Sequence, residues 1–274
     1  MICKELNKEY LNKEELFEDL KANKELIIRE KKSQIFKSCD KGSAVGVKPL
    51  KIDAIKGIDL DDNFHYIAVN TTNVLDSHGD LHVKGLWNKS VKDQQGKNYL
   101  VTDHKMELSN VVAKKENVEM FVSDIAYSSI NKSFDGSTQA LIYKVAKADI
   151  INPLAKEWLE SKSDIEASVR MQYVNVELAM NSTAKSDKEE KKVFDTYVSQ
   201  IANKGDFEEI DYFWVVKEAK NIGESSLVLA GSNGATGIIN EAEPITSINN
   251  KNEPLKDTQA DQVKINKLKI RTPF

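Results

Sequence analysis

His65, His78, His82 and His104 are the chain's only imidazoles, and they limit where general acid–base chemistry can sit. A serine hydroxyl is a weak nucleophile at its own pKa, so acyl transfer needs a base beside it and donors for the oxyanion. His104 follows Asp103 in Val101-Thr102-Asp103-His104-Lys105, a strand end from which an imidazole can project into a cleft. Ser168 lies early in a second strand and shares its polar face with Arg170, one of three arginines (Arg29, Arg170, Arg271) in a lysine-dominated chain. Taken singly, each has a plain structural reading: a surface histidine, an ordinary strand serine, and an arginine in a surface ion pair.

A second constellation is Asp76-Ser77-His78-Gly79-Asp80-Leu81-His82, two carboxylates and two imidazoles of metal-ligand type, which points to a hydrolase or binding module using His78, Asp80 and His82. The competing reading is turn chemistry, since Asp, Ser and Gly cluster in tight turns and Gly79-Asp80 fits one. Gly231-Ser232-Asn233-Gly234-Ala235-Thr236-Gly237 lacks the glycine spacing and lysine of a phosphate loop, and reads as a loop closing the domain.

These residues need a sheet to hold them. Period-2 patterns bounded by turn residues predict strands at Tyr66 to Thr71, Tyr99 to Thr102, Ser109 to Lys114, Val118 to Ser123, Ile165 to Leu178, Tyr212 to Glu218 and Ser226 to Leu229. The pair around Lys115-Glu116-Asn117 reads as a hairpin, and the switch of apolar parity near Tyr173 predicts a bulge. Leu141, Val145 and Ala148 at helical spacing predict a helix over Ser137 to Ala148, and Pro153 opens another to Ser161. Residues 181 to 206 read as a polar insertion with a helix carrying Val193, Phe194, Tyr197, Val198 and Ile201 on one side. Residues 1 to 32 carry sixteen charged side chains, with Leu6, Tyr10, Phe17 and Leu20 near helical spacing, so residues 1–50 read as a charged helical appendage. A Lys-Gly-Ser linker lies at Lys41 to Ser43, the main domain spans 51–239, and the Asn, Lys and Glu rich stretch 240–274 reads as a flexible tail. Short strands with inserted helices predict an α+β domain on a mostly antiparallel, barrel-like core.

The 274 residues are enough for one large core, and a net charge of −4 with pI near 5.7 argues against binding nucleic acid or an anionic membrane. Cys3 and Cys39 have no metal-type spacing, which fits a reducing cytoplasm without a disulfide framework. The N-terminus has no apolar signal core, and no run of 18 apolar residues occurs, so neither secretion nor membrane spanning is expected.

Set in order, the segments resemble the prohead (capsid maturation) serine protease family of tailed phages, related in fold to the herpesvirus assemblin proteases. Asp76, Gly79, Asp80, Gly85 and Trp87 match its opening stretch, and the strand ending at His104 matches the one leading to its catalytic histidine. Ser168-Val169-Arg170-Met171 matches its nucleophile pattern, and Glu224-Ser225-Ser226-Leu227-Val228 with Asn233 beyond matches its closing motif. The resemblance covers about residues 60 to 237, interrupted by the insertion, and departs from the family at Arg170, where the family has glycine. It implies an assemblin-like fold and a triad of Ser168, His104 and Glu224, with Asp103 and Asp80 as alternative orienters of the imidazole. It also implies no metal or cofactor, a homodimer, and action inside the procapsid in the host cytoplasm. The scaffold protein, the major capsid precursor and the chain itself would be the substrates. An inactive protease-like head scaffold protein is the rival within the same resemblance, and the His78/Asp80/His82 hydrolase is the rival outside it.

Overall fold

In the computed structural model, which describes residues 1–36, 58–161 and 165–240, the chain opens with a hairpin of β1 (Ile2–Cys3) and β2 (Lys8–Glu9). Helix α1 (Lys13–Ala22) starts where the Asn12 side chain accepts from the Glu15 N–H, and Leu16, Phe17 and Leu20 form its buried face. Helix α2 (Lys24–Ser33) buries Ile27 and Lys31. Then come β3 (Phe64–Thr71), β4 (Asp80–His82), α3 (Asn88–Gln94), β5 (Tyr99–Thr102), β6 (Val111–Ala113), β7 (Val118–Ala126) and β8 (Ser137–Ala146). The rest is α4 (Pro153–Glu160), capped by Asn152 with Pro153 in its first turn, then β9 (Glu166–Met180), α5 (Lys188–Tyr197), β10 (Tyr212–Val228) and β11 (Gly237–Ile238).

One sheet runs β11-β3-β8-β7, all antiparallel. The other is organised around β10, which pairs antiparallel with β9 along most of its length. On its other edge β10 lies parallel to β4 at 214–216 and to β5 at 224–227, and β5 in turn pairs with β6. Side chains from both sheets, including Ile67, Leu141, Tyr143, Val169, Met171, Trp214 and Leu227, meet in one core. The far face of the first sheet is covered by Tyr66, Ile125, Tyr127 and Ile142, and that of the second by Leu81, Phe194, Ile201, Phe213 and Val215.

The coarse class is α+β, but the two sheets do not close into a barrel among the described residues. The barrel expectation took a mostly antiparallel sheet closing on itself, whereas the parallel β4 and β5 share one edge of β10 end to end. Residues 137–146 form a strand, not the expected helix. This strand lies inside its sheet between β3 and β7 with both faces covered, so polar alternation is lost and Leu141 and Val145 mimic helical spacing. The expected hairpin at 109–123 is also corrected, because β6 pairs with β5 and β7 with β8. The two segments 212–218 and 226–229 are one strand, β10, interrupted by an irregularity between Asn221 and Ser225. The predicted bulge near Tyr173 is present: Tyr173 faces Ala219 and Asn175 faces Glu218, leaving Val174 unpaired.

The N-terminal residues are not an appendage. Cys3, Tyr10, Leu16, Phe17, Leu20 and Ile27 belong to the main core, and the described residues fall in one compact unit, Met1–Ala242. Burying a leucine or isoleucine contributes about 1.5–3 kcal/mol over exposure, enough to hold a charged pair of helices against the body. The expected linker at 41–43, the domain edge at 50–51 and the tail beyond 240 lie outside the described residues.

Candidate active site

Three strands bring three side chains together. On β9, Ala167 and Val169 point into the core and Ser168 to the opposite face. Ser168 pairs across the ladder with Ser226 of β10, and β5 flanks that part of β10 in parallel register, Val101 beside Ser226 and Thr102 beside Leu227. The chain leaves β5 through Asp103 and His104, both left-handed at φ 52°, a conformation uncommon outside glycine. Two bonds hold it there: Asp103 N–H to Leu227 O at 3.0 Å and His104 N–H to Ser226 Oγ at 2.9 Å. The Ser226 hydroxyl itself donates to Leu227 O at 3.0 Å, so a buried hydroxyl fixes the backbone that aims the imidazole.

His104 Nε2 lies 2.8 Å from Ser168 Oγ, and Nδ1 lies 2.9 and 3.2 Å from the two oxygens of Glu224. An ionised carboxylate only accepts, so Nδ1 carries the proton and Nε2 is left to accept from the serine, the tautomer a general base requires. Glu224 is fully buried, Ser168 is 5% exposed and His104 is 7% exposed. Glu224 reaches this position from the irregular stretch after Asn221, where Gly223 turns at φ +78°. Asn221 is anchored there by its N–H to Ser90 Oγ at 3.0 Å and by its side-chain amide to Ser225 Oγ at 3.2 Å and Tyr143 Oη.

The loop after β10 fastens the start of the serine strand. Thr236 Oγ1 accepts from Ala167 N–H at 3.1 Å and donates to Ala167 O at 2.6 Å, while Gly231 N–H donates to Glu166 at 2.7 Å. A Cβ on Gly231 would meet Ala167 O at 3.1 Å, so glycine permits this close approach. Asn233 ties the same loop to Thr71 of β3.

The alternative orienters of the imidazole do not reach it: Asp103 is exposed, and Asp80 belongs to a second buried network under the N-terminal helices. Trp87 Nε1 donates to Asn70 Oδ1 at 2.8 Å, which leaves the Asn70 amide to donate to His82 Nδ1 at 3.1 Å. His82 Nε2 then donates to Tyr173 Oη at 3.3 Å, and Tyr173 donates to Asp80 Oδ2 at 2.9 Å. Lys31 closes the chain at 2.6 Å from Asp80 Oδ1 and 3.4 Å from Glu5. Burial, reinforced by Asp80, pushes the Asp76 carboxyl up to about 8, and burial raises Asp80 as well. Burial pushes His82 down to about 3.

These contacts answer the metal expectation at His78, Asp80 and His82. Asp80 and His82 are committed to Lys31, Tyr173 and Asn70, and among the described residues no three His, Cys, Asp or Glu side chains converge as a metal site. Sequence reasoning missed Ser226 and Asn221 as positioning residues; the signal was an asparagine and a serine pair in the second half of a strand that ends in an apolar Leu227-Val228. It also missed Lys31, whose charge gave no sign of being buried. Among the described residues no helix is long and apolar enough to cross a membrane. No known family model, curated protein or solved structure matches the chain significantly.

Proposed function

We propose that the chain is a serine endopeptidase of the prohead maturation type, with Ser168 as nucleophile, His104 as general base and Glu224 as the residue orienting it. The observation that carries this reading is the relay Ser168 Oγ, His104 Nε2, His104 Nδ1, Glu224 Oε1, at 2.8 and 2.9 Å, contributed by β9, the turn that follows β5, and β10. His104 Nε2 takes the Ser168 proton as Oγ attacks a peptide carbonyl, and the same proton passes to the leaving amine as the C–N bond breaks. Water, deprotonated by His104, then cleaves the acyl-serine ester and returns the serine. A base positioned in this way contributes about 10²- to 10⁴-fold in rate. Glu224 stabilises the imidazolium formed in both steps.

The motif order of the resemblance supports the narrower part of the proposal: an assemblin-like fold acting on scaffold, capsid precursor and its own chain within the procapsid, as a homodimer. A second reading, a protease-like head protein without activity, draws on the near-complete burial of Ser168 and His104. Labelling with a fluorophosphonate probe separates the two. Wild type is expected to label at Ser168, and Ser168→Ala and His104→Ala are expected not to. Unlabelled wild type sinks the peptidase reading. If both variants self-process like wild type on co-expression with capsid and scaffold proteins, the site assignment fails.

A further inference from the structure

Arg170 sits on the same face of β9 as Ser168, one full pleat further along the strand. It is partly buried, and its Nε is buried with no hydrogen-bond partner. Among the described residues it makes no ion pair, whereas Lys132, beside the start of the same strand, is paired with Glu166 at 2.9 Å. Across the ladder Arg170 faces the irregular stretch between Asn221 and Ser225, which carries Glu224. That carboxylate is already engaged through both oxygens with His104. The guanidinium is thus a fork of donors, partly desolvated and uncommitted, next to the reactive hydroxyl.

A buried N–H without an acceptor is unfavourable, and a guanidinium with no partner keeps its donors for a carboxylate. A tetrahedral oxyanion would form within bonding distance of Ser168 Oγ. Arg170 stands two residues further along the strand, so its guanidinium is placed to meet a residue flanking the scissile bond and not the oxyanion itself. We infer that Arg170 is a specificity residue that binds an acidic side chain of the substrate next to the scissile bond. This inference rests on the peptidase reading above, and Arg170 stands where the resembled family has glycine, so the subsite belongs to this chain.

The test uses a random-sequence decapeptide library and the full chain as wild type, Arg170→Gln and Arg170→Glu, each shown by its melting curve to be folded. Wild type is expected to prefer Glu over Gln by about tenfold at one position flanking the cleaved bond, the size of a charge-assisted contact. Arg170→Gln is expected to erase that preference, and Arg170→Glu to shift it to Lys. Absence of an acidic preference in wild type overturns the inference, as does an equal loss of turnover on all peptides in Arg170→Gln. If wild type cleaves nothing, binding decides. Retention of acidic peptides about tenfold better by Ser168→Ala than by Ser168→Ala/Arg170→Gln supports the subsite, and equal retention overturns it. The peptidase reading itself fails separately, through an unlabelled Ser168.

Discussion

Replacing Lys31 with methionine tests how the N-terminal helices are joined to the body. The Lys31 side chain is 8% exposed and the Asp80 side chain 0%, so the substitution leaves a carboxylate in the interior with the Tyr173 hydroxyl as its remaining partner. Burial lowers the Lys31 pKa, but Asp80 and Glu5 more than compensate, and the ammonium stays charged. Breaking a buried pair by removing one partner costs about 3–5 kcal/mol. An independent ceiling comes from letting Asp80 take a proton: from its ordinary value of 3.8 to pH 7 this costs about 4 kcal/mol at 1.36 kcal/mol per unit. The two estimates agree. Burial raises the Asp80 pKa and Lys31 holds it back, so without Lys31 it rises further and the folded variant keeps that proton to higher pH than folded wild type or the unfolded chain does. The deficit of Lys31→Met against wild type is therefore greatest at neutral pH and shrinks as pH falls toward 4. Urea unfolding followed by circular dichroism at pH 7 and pH 5 reads it directly. Lys31→Met/Asp80→Asn, which keeps an acceptor for Tyr173, is expected to recover most of the loss. A deficit below about 1 kcal/mol at pH 7, or one equal at both pH values, refutes the buried ion pair as the joint.

Glu224→Gln removes the charge that opposes the imidazolium and is expected to slow fluorophosphonate labelling of Ser168 by about 10²- to 10⁴-fold with little change in melting temperature. Ser226→Ala leaves the His104 N–H without its acceptor; unfolding is expected to show a loss of about 1–3 kcal/mol, and labelling to slow. Asp76 is held protonated up to about pH 8 in the folded state, so wild-type stability is expected to fall as pH rises from about 4 to about 8. Asp76→Asn, which still accepts from the His78 and Asp80 N–H groups, is expected to flatten that slope in the same unfolding assay.

Glu224, between two predicted strands, was reached only through the resemblance, whereas Ser168 and His104 were legible within one strand and at the end of another. Their meeting was not, since it depends on β10 lying between β9 and β5, and strand order leaves no mark on local sequence. Parallel pairing of β4 and β5 with β10 was invisible for the same reason. The misreading of 137–146 has a local cause: Leu141, Tyr143 and Val145 enter the main core on one face and Ala140 and Ile142 a second cluster on the other, so both faces are apolar and the alternation is lost. The first 36 residues misled through composition. Lys31 and Glu5 look like solvated charges until the fold brings Asp80, 49 positions on from Lys31, to the same ammonium that Glu5 faces.

The long strand that unites the site is the last long one to be made. His104 and Ser168 are separated by 64 residues, and Glu224 by 120 from His104, so each contact closes a long loop before it stabilises anything. On the ribosome, a growing polypeptide that stops short of residue 212 contains the hydroxyl and the imidazole but nothing to draw their strands alongside each other. On the peptidase reading, chemistry at Ser168 is therefore postponed until synthesis has passed β10 and the Thr236 clasp, and chains ended before β10 are born without it.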